Sequence, residues 1–418
     1  MSEPGLIHVV GAGLAGLAAA LNLAQAGRRV ALYEAAAQAG GRCRSFFDGE
    51  LGCRIDNGNH LLLAGNRAAM QYVAASGAAS TLTGPDAAVL PFVDLADGAR
   101  WALRPGRGRV PWWLLCPARR VPGTRARDYL AARALARAAA DATVAEVLDP
   151  SSVLYRRLWR PFAVAALNAG AEEGSARLFG RVVAETLGRG GAACRPLLPR
   201  EGLSESLVDP AVAALRRSGA DIRFGARLRR LAFAGDRLAG LEFDGGGVAL
   251  GAGDAAVLAV PAPVAARLVP GLTVPDDHAP IVNAHYRLAA PPGSPPFAGI
   301  VGGAAEWVFT KREVISVTVS AADALAARPA EELAPLLWRD VARVYRLDPA
   351  AMPPVRIVKE RRATFRATPA QLRRRPPTAT GWANLALAGD YVDTGLPATI
   401  EGAIRSGFAA ANRLKAGE

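Results

Sequence analysis

The stretch from Leu6 to Glu34 constrains the chain most. Leu6-Ile7-His8-Val9-Val10 is a short β-branched run, Gly11-Ala12-Gly13-Leu14-Ala15-Gly16 follows at once, and residues 17–27 are Ala- and Leu-rich and close on Gly27. A second apolar run, residues 28–34, ends on Glu34. Strand, glycine turn, helix, strand is the opening of a doubly wound parallel sheet. Gly11 allows the tight turn, Gly13 lets a pyrophosphate approach the backbone, and Gly16 lets the helix lie close to the strand. Leu14 and Ala15 sit between them at the helix N-terminus, where free N–H groups and the positive dipole end suit phosphate. Glu34, 18 residues past Gly16, is placed for ribose hydroxyls, and its charge opposes a 2′-phosphate. His8, inside the first strand, reads as a core histidine.

Composition narrows the class. The chain has 418 residues, 51% of them hydrophobic and 21% charged, enough for two packed domains without disordered composition. Its net charge is +13, nearly all from arginine, but no interleaved basic and aromatic stripe marks a nucleic-acid binder. Four cysteines occur without a C-x-x-C pair, and no leader pattern precedes the first strand, so the expectation is a reduced, cytoplasmic protein with no metal site. No apolar tract reaches the length of a membrane-spanning helix.

Two further segments join the N-terminal motif. Ala39-Gly40-Gly41-Arg42 follows the second strand as another glycine loop, and residues 385–414 read as strand, Gly389-Asp390, loop and helix. Asp209-Pro210 reads as N-cap and first-turn proline of a helix ending at Gly219, before a strand from Ile222. Residues 88–105 carry two alternating runs about Asp97-Gly98, a hairpin signal, and Thr143–Glu146 is a capping box. Residues 306–321 alternate as strands. Gly245–Gly253 leads into a strand, so no second dinucleotide unit is expected.

On these motifs the chain resembles the FAD-dependent amine oxidase and phytoene desaturase superfamily. The resemblance implies FAD, with Gly40, Gly41 and Arg42 beside the pyrophosphate and Gly389 and Asp390 at the ribityl–phosphate region. It also implies a backbone contact from Leu228 to adenine, and a helix starting near Pro397–Thr399 that points Thr399 and Ile400 at the pyrimidine edge of the flavin. A helix N-terminus there would favour the anionic reduced ring. The expected fold is α/β: a discontinuous Rossmann-like FAD-binding domain of the glutathione reductase type (1–78, 200–270 and 378–418) and an α+β substrate domain (79–199 and 271–377) with a mixed sheet and covering helices.

Within the superfamily, residues 33–66, 178–188, 197–210 and 389–407 are similar to the squalene-associated FAD-dependent enzymes, the hydroxysqualene dehydroxylases of bacterial squalene and hopanoid synthesis. That likeness implies reductive removal of an allylic hydroxyl from hydroxysqualene, or a similar long isoprenoid, with reduced FAD as hydride source and a separate electron donor. The discriminating run is Cys53–Asn66, CRIDNGNHLLLAGN. In the superfamily this segment passes beside the flavin, so Gly58 would allow close approach, while Asn57, Asn59 and His60 present polar groups and Leu61–Leu63 begin an apolar wall. His60 is the candidate proton donor, with a purely structural hydrogen-bonding role as the rival. Asp56 reads as a turn or backbone-capping residue. Trp307 and Phe309 are candidate tunnel residues, against the rival of plain core.

Trp112-Trp113-Leu114-Leu115 lies between arginine clusters in residues 104–120, the composition of a loop that dips into an anionic membrane surface, here the inner face of the cell membrane; a buried apolar turn is the alternative. Two other function classes stay open. One is an oxidative flavoenzyme, either a desaturase or an amine oxidase. The other is a non-catalytic lipid carrier like the prenyl-binding GDP-dissociation inhibitors.

Overall fold

The computed structural model describes residues 5–415. Its first layer is a five-stranded sheet, all parallel, in the spatial order Asp221–Phe224, Val30–Glu34, Ile7–Val10, Ala255–Leu258, Leu385–Leu387. Strands far apart in the chain therefore lie side by side. The four from Val30–Glu34 to Leu385–Leu387 are apolar runs buried on both faces, and the edge strand Asp221–Phe224 alternates exposed Asp221 and Arg223 with half-buried Ile222 and Phe224. His8 is buried in the central strand, with Nδ1 3.1 Å from Tyr33 Oη, as a core histidine.

The helix Leu14–Gln25 packs on this sheet, and the C-terminal helix Ile400–Lys415 packs on it in turn. Their close approach depends on Gly407, where a Cβ would sit 2.1 Å from the Ala15 carbonyl oxygen. Glu401 joins a third helix, Arg67–Ser76, by accepting the N–H groups of Ala68 and Ala69 at its N-terminus. An antiparallel three-stranded meander, Leu228–Ala234, Arg237–Phe243 and Gly246–Ala249, completes this side.

A seven-stranded mixed sheet forms the second layer, in the order Val355–Phe365, His278–Tyr286, Val314–Val319, Trp307–Lys311, Phe297–Val301, Leu90–Asp94, Arg100–Leu103. The hairpin read at residues 88–105 is its last pair, and Leu90–Asp94 meets Phe297–Val301 in parallel. Because side chains alternate along a strand, the sheet has two unlike faces. Val282, Ala284, Tyr286, Ile315, Val317 and Val319 pack against the helix Ala330–Tyr345. Asn283, His285, Ser316 and Thr318 point the other way, toward the hairpin Ser45–Asp48/Cys53–Asp56 and the residues after it. This polar inner face positions the site.

Two readings of the sequence need correction here. Asp209 does not begin a helix: the helical chain starts at Leu203, passes through a wide π turn at Ser204–Val208, and continues as Asp209–Arg217. The wide turn accommodates Pro210, which brings no N–H to the ladder. Of the expected exposed tip at residues 112–115, Trp113 is buried against Tyr129 with ring centroids 5.8 Å apart, and Leu114 is partly buried. The segment is a 3-10 turn, which rotates successive side chains by about 120° and sends neighbours to opposite sides.

Candidate active site

The glycines of the first loop divide into two kinds. A Cβ at Gly11 would lie 2.4 Å from the Ala259 carbonyl oxygen, and one at Gly16 would lie 1.8 Å from that of Gly11, so protein backbone fills both spaces. A Cβ at Gly13 would meet nothing within 4 Å, which leaves an open cradle. The bond from Leu17 N–H to Gly13 O opens the helical ladder, so the N–H groups of Leu14, Ala15 and Gly16 precede it at the cradle. Gly40 forms a parallel bridge with Gly13, and a Cβ at Gly41 (φ +57°) would come within 3.6 Å of Gly13 Cα, so the second glycine loop lies on the first. Glu34 shapes this loop, its two oxygens accepting the Ala12 and Ala36 N–H groups at 2.8 Å each. Leu228 is buried at the start of the meander, close to Ala226, whose N–H donates to the Glu34 carbonyl.

The far end of the chain returns to the same place. Arg42 Nη2 is 2.7 Å from Asp390 Oδ1, and the Asp390 carboxylate holds the guanidinium above its ordinary range. Gly389 takes φ +150° and donates its N–H to Ser406 Oγ at 2.8 Å. The following loop is wrapped around buried Arg375, which donates to the carbonyls of Asp390, Tyr391, Val392 and Leu396 and lies over the Phe365 ring. Arg375 escapes sequence reading because carbonyl acceptors leave no residue pattern. Thr399 Oγ1 accepts the Gly402 N–H and caps the helix that begins at Ile400. Tyr391 Oη and Thr394 Oγ1 are buried without a hydrogen-bond partner among the described residues. Such atoms cost about 1–3 kcal/mol each unless a partner arrives. The open cradle at Gly13 and these unpaired atoms near Asp390 fit a bound dinucleotide.

Between the two layers sits the run that follows the hairpin. Asp56 Oδ1 accepts from Ser45 Oγ and from the Leu203 N–H, and Oδ2 lies 2.6 Å from Lys311 Nζ, so this carboxylate caps a helix, as expected. Asn57 donates to the Arg42 carbonyl at 3.3 Å and to Glu360 at 3.4 Å, tying the run to the glycine loop. Asn59 Nδ2 donates to Thr318 Oγ1 at 3.0 Å. Gly58 faces Asn283, whose Nδ2 a Cβ would approach to 3.3 Å. Burial pushes the His60 imidazole below its usual range, against the pull of Asp56 and with that of Arg42 and Lys311. Leu61 then joins Leu198, Phe297, Phe309 and Trp307 in one apolar cluster. Asn283, Thr318 and Lys311 are participants that sequence reading missed. The alternation of Asn283 and His285 with Val282, Ala284 and Tyr286 was the signal for the first of them.

A family model for flavin-containing amine oxidoreductases matches residues 14–415. The chain belongs to that family. Within it, the chain is 50% identical over 411 residues to the hydroxysqualene dehydroxylase of Rhodopseudomonas palustris and 49% identical over 409 residues to that of Sinorhizobium fredii, covering 98% of each chain in both cases. The resemblance read from residues 33–66 and the C-terminal run is thus borne out. The fold is shared with cyclohexylamine oxidase from Brevibacterium oxydans at a TM-score of 0.70, with 19% identity over 98% of each chain. Flavin is therefore the cofactor class for this flavin oxidoreductase, and the Rossmann-type fold with a mixed-sheet second layer is the family's own.

Proposed function

We propose that this chain is an FAD-dependent hydroxysqualene dehydroxylase, converting hydroxysqualene to squalene and water. The full-length match to relatives of that name carries the reading. The cofactor is FAD because a cradle of glycine and helix N–H groups beside Glu34 serves a pyrophosphate and a ribose. The FAD-binding domain comprises 1–78, 200–270 and 378–418, and the substrate domain is 79–199 and 271–377. Gly11, Gly13, Leu14, Ala15, Gly16, Gly40 and Gly41 form the phosphate cradle. Arg42 with Asp390, Leu228, and the helix start at Thr399 and Ile400 hold the rest.

When bound and reduced, FAD supplies the hydride that replaces the hydroxyl. Hydroxysqualene and the fully reduced flavin would give squalene, water and oxidised flavin. The C–O bond breaks, a C–H bond forms, and the proton that the departing oxygen takes to leave as water is the second hydrogen of that balance. The chain's part is to hold an apolar substrate along Leu61, Trp307 and Phe309 while polar groups at Asn57, Asn59 and His60 meet the oxygen. Exclusion of water protects the allylic cation formed as the oxygen leaves. His60 acts as a neutral hydrogen-bonding group that holds the site, in line with the downward push of burial on its imidazole. Electrons come from a separate donor.

We also assign the protein to the inner membrane face as a peripheral protein. Among the described residues no helix is long and apolar enough to cross a membrane. Val110, Trp112, Leu115 and Leu130 are exposed large apolar residues in one arginine-rich stretch, suited to an anionic lipid surface. The deciding experiment for the reaction is anaerobic incubation of photoreduced protein with hydroxysqualene, following flavin reoxidation and squalene together. Reoxidation without squalene overturns the reading.

A further inference from the structure

We infer that Asn59 turns its side-chain oxygen to the substrate, accepting the hydrogen bond of the hydroxyl that is to be removed, and that Asn283 and Thr318 are the positioning residues that set it so. The inference rests on the dehydroxylation reading and extends it to how the alcohol is recognised.

The direction of each bond follows from one fixed end. The backbone oxygen of Asn57 can only accept, so Asn283 faces it with Nδ2, at 3.4 Å. That turns Asn283 Oδ1 to Thr318, whose hydroxyl donates to it at 2.7 Å. A threonine hydroxyl has a single proton; with that proton committed, Thr318 Oγ1 offers a lone pair to Asn59, and Asn59 Nδ2 donates at 3.0 Å. The carboxamide is thereby oriented: nitrogen to Thr318, oxygen away from it. Among the described residues no donor to Asn59 Oδ1 is found.

The strands make this chain of bonds rigid. Asn283 and Thr318 are direct cross-strand partners, and Thr318 is paired in turn with Trp307, whose indole belongs to the apolar cluster with Leu61. Gly58 lets the run approach Asn283 without a side chain between them. An acceptor at the border of an apolar wall selects an O–H group on a molecule that is otherwise hydrocarbon. It also disfavours the product, because squalene would cover this oxygen without offering it a hydroxyl.

The test uses the full chain with oxidised flavin in detergent, so that binding is read without turnover, by quenching of tryptophan fluorescence. Wild type should prefer hydroxysqualene to squalene. Thr318→Val and Asn59→Leu should each weaken the alcohol by about tenfold and squalene by less than about twofold, with an unaltered flavin spectrum. The double variant should lose no more than either single one, and Thr318→Ser, which keeps the hydroxyl, should retain the preference. Equal loss for both ligands, additive losses, or loss of flavin from Asn59→Leu would overturn the inference. If wild type prefers the alcohol but photoreduced protein makes no squalene, the dehydroxylation reading fails while the recognition of the hydroxyl stands.

Discussion

Arg42 and Asp390, 348 positions apart in sequence, form an ion pair of 2.7 Å that locks the glycine loop near the N-terminus to the Gly389 turn near the C-terminus. The same arginine accepts from Asn57 through its carbonyl, so the phosphate cradle and the polar run move as one piece. Arg42→Met leaves the Asp390 carboxylate, whose side chain is only 12% exposed, without its partner. The variant should retain at least tenfold less FAD after desalting than wild type, on the order of 1.4 kcal/mol or more. Full retention would show that the pair serves the fold alone.

Gly13 and Gly16 should part company on substitution. Gly16→Ala drives a methyl into the Gly11 carbonyl and should fold poorly or with a strongly lowered Tm. Gly13→Ala meets no protein atom, so its apoprotein unfolding free energy should match wild type within about 0.5 kcal/mol while FAD affinity collapses. Calorimetry and flavin titration on the same samples separate the two effects. Normal FAD binding by the Gly13→Ala variant would remove the loop from the cofactor site.

His60→Ala distinguishes holding from proton donation. As a neutral group that orders the site, it should cost about tenfold in turnover and keep its bound flavin. A loss of two to four decades, with a wild-type rate that falls as pH rises through the imidazole's titration and a variant that lacks this alkaline limb, would make His60 the proton donor instead.

Glu306 predicts a pH dependence of stability. Burial raises its carboxyl from 4.5 to about 7, offset in part by the Ser320 N–H at 2.8 Å and by the charge of Arg160. A carboxyl raised on folding favours the protonated form, so its contribution is intact below pH 4.5 and is lost as pH rises through 7. Glu306→Gln keeps an acceptor for Ser320 and removes the charge. Its unfolding free energy should match wild type near pH 5 and exceed it at pH 8 by a few kcal/mol, at about 1.4 kcal/mol per unit, with a correspondingly higher Tm at pH 8. Equal Tm values at pH 8 would contradict the assignment.

Trp112 and Leu115 carry the membrane proposal, and Trp113 does not. Trp112→Ser with Leu115→Ser should lower co-sedimentation with anionic liposomes by about tenfold or more without a change in Tm, since both side chains are more than half exposed at 55% and 76%. Trp113→Ser should lower Tm instead, because it opens the contact with Tyr129. Undiminished liposome binding by the double variant would place the surface elsewhere.

Local pattern was enough for everything that one contiguous segment decides. Ile7–Glu34 carries its strand, glycine turn, helix and strand within a single unit, and backbone geometry alone demands Gly11 and Gly16. The Gly389-Asp390 turn and the capped helix after it are equally local. Tertiary structure decided what depends on which strand lies beside which. The partners of Asn59 come from residues 283 and 318, and the packing of the two sheets brings them together. Hydrogen bonds between distant segments leave no periodicity to read. The direction of Trp112 against Trp113 likewise depends on the tight turn that separates them, because adjacent residues of one composition can face core or solvent according to backbone rotation alone.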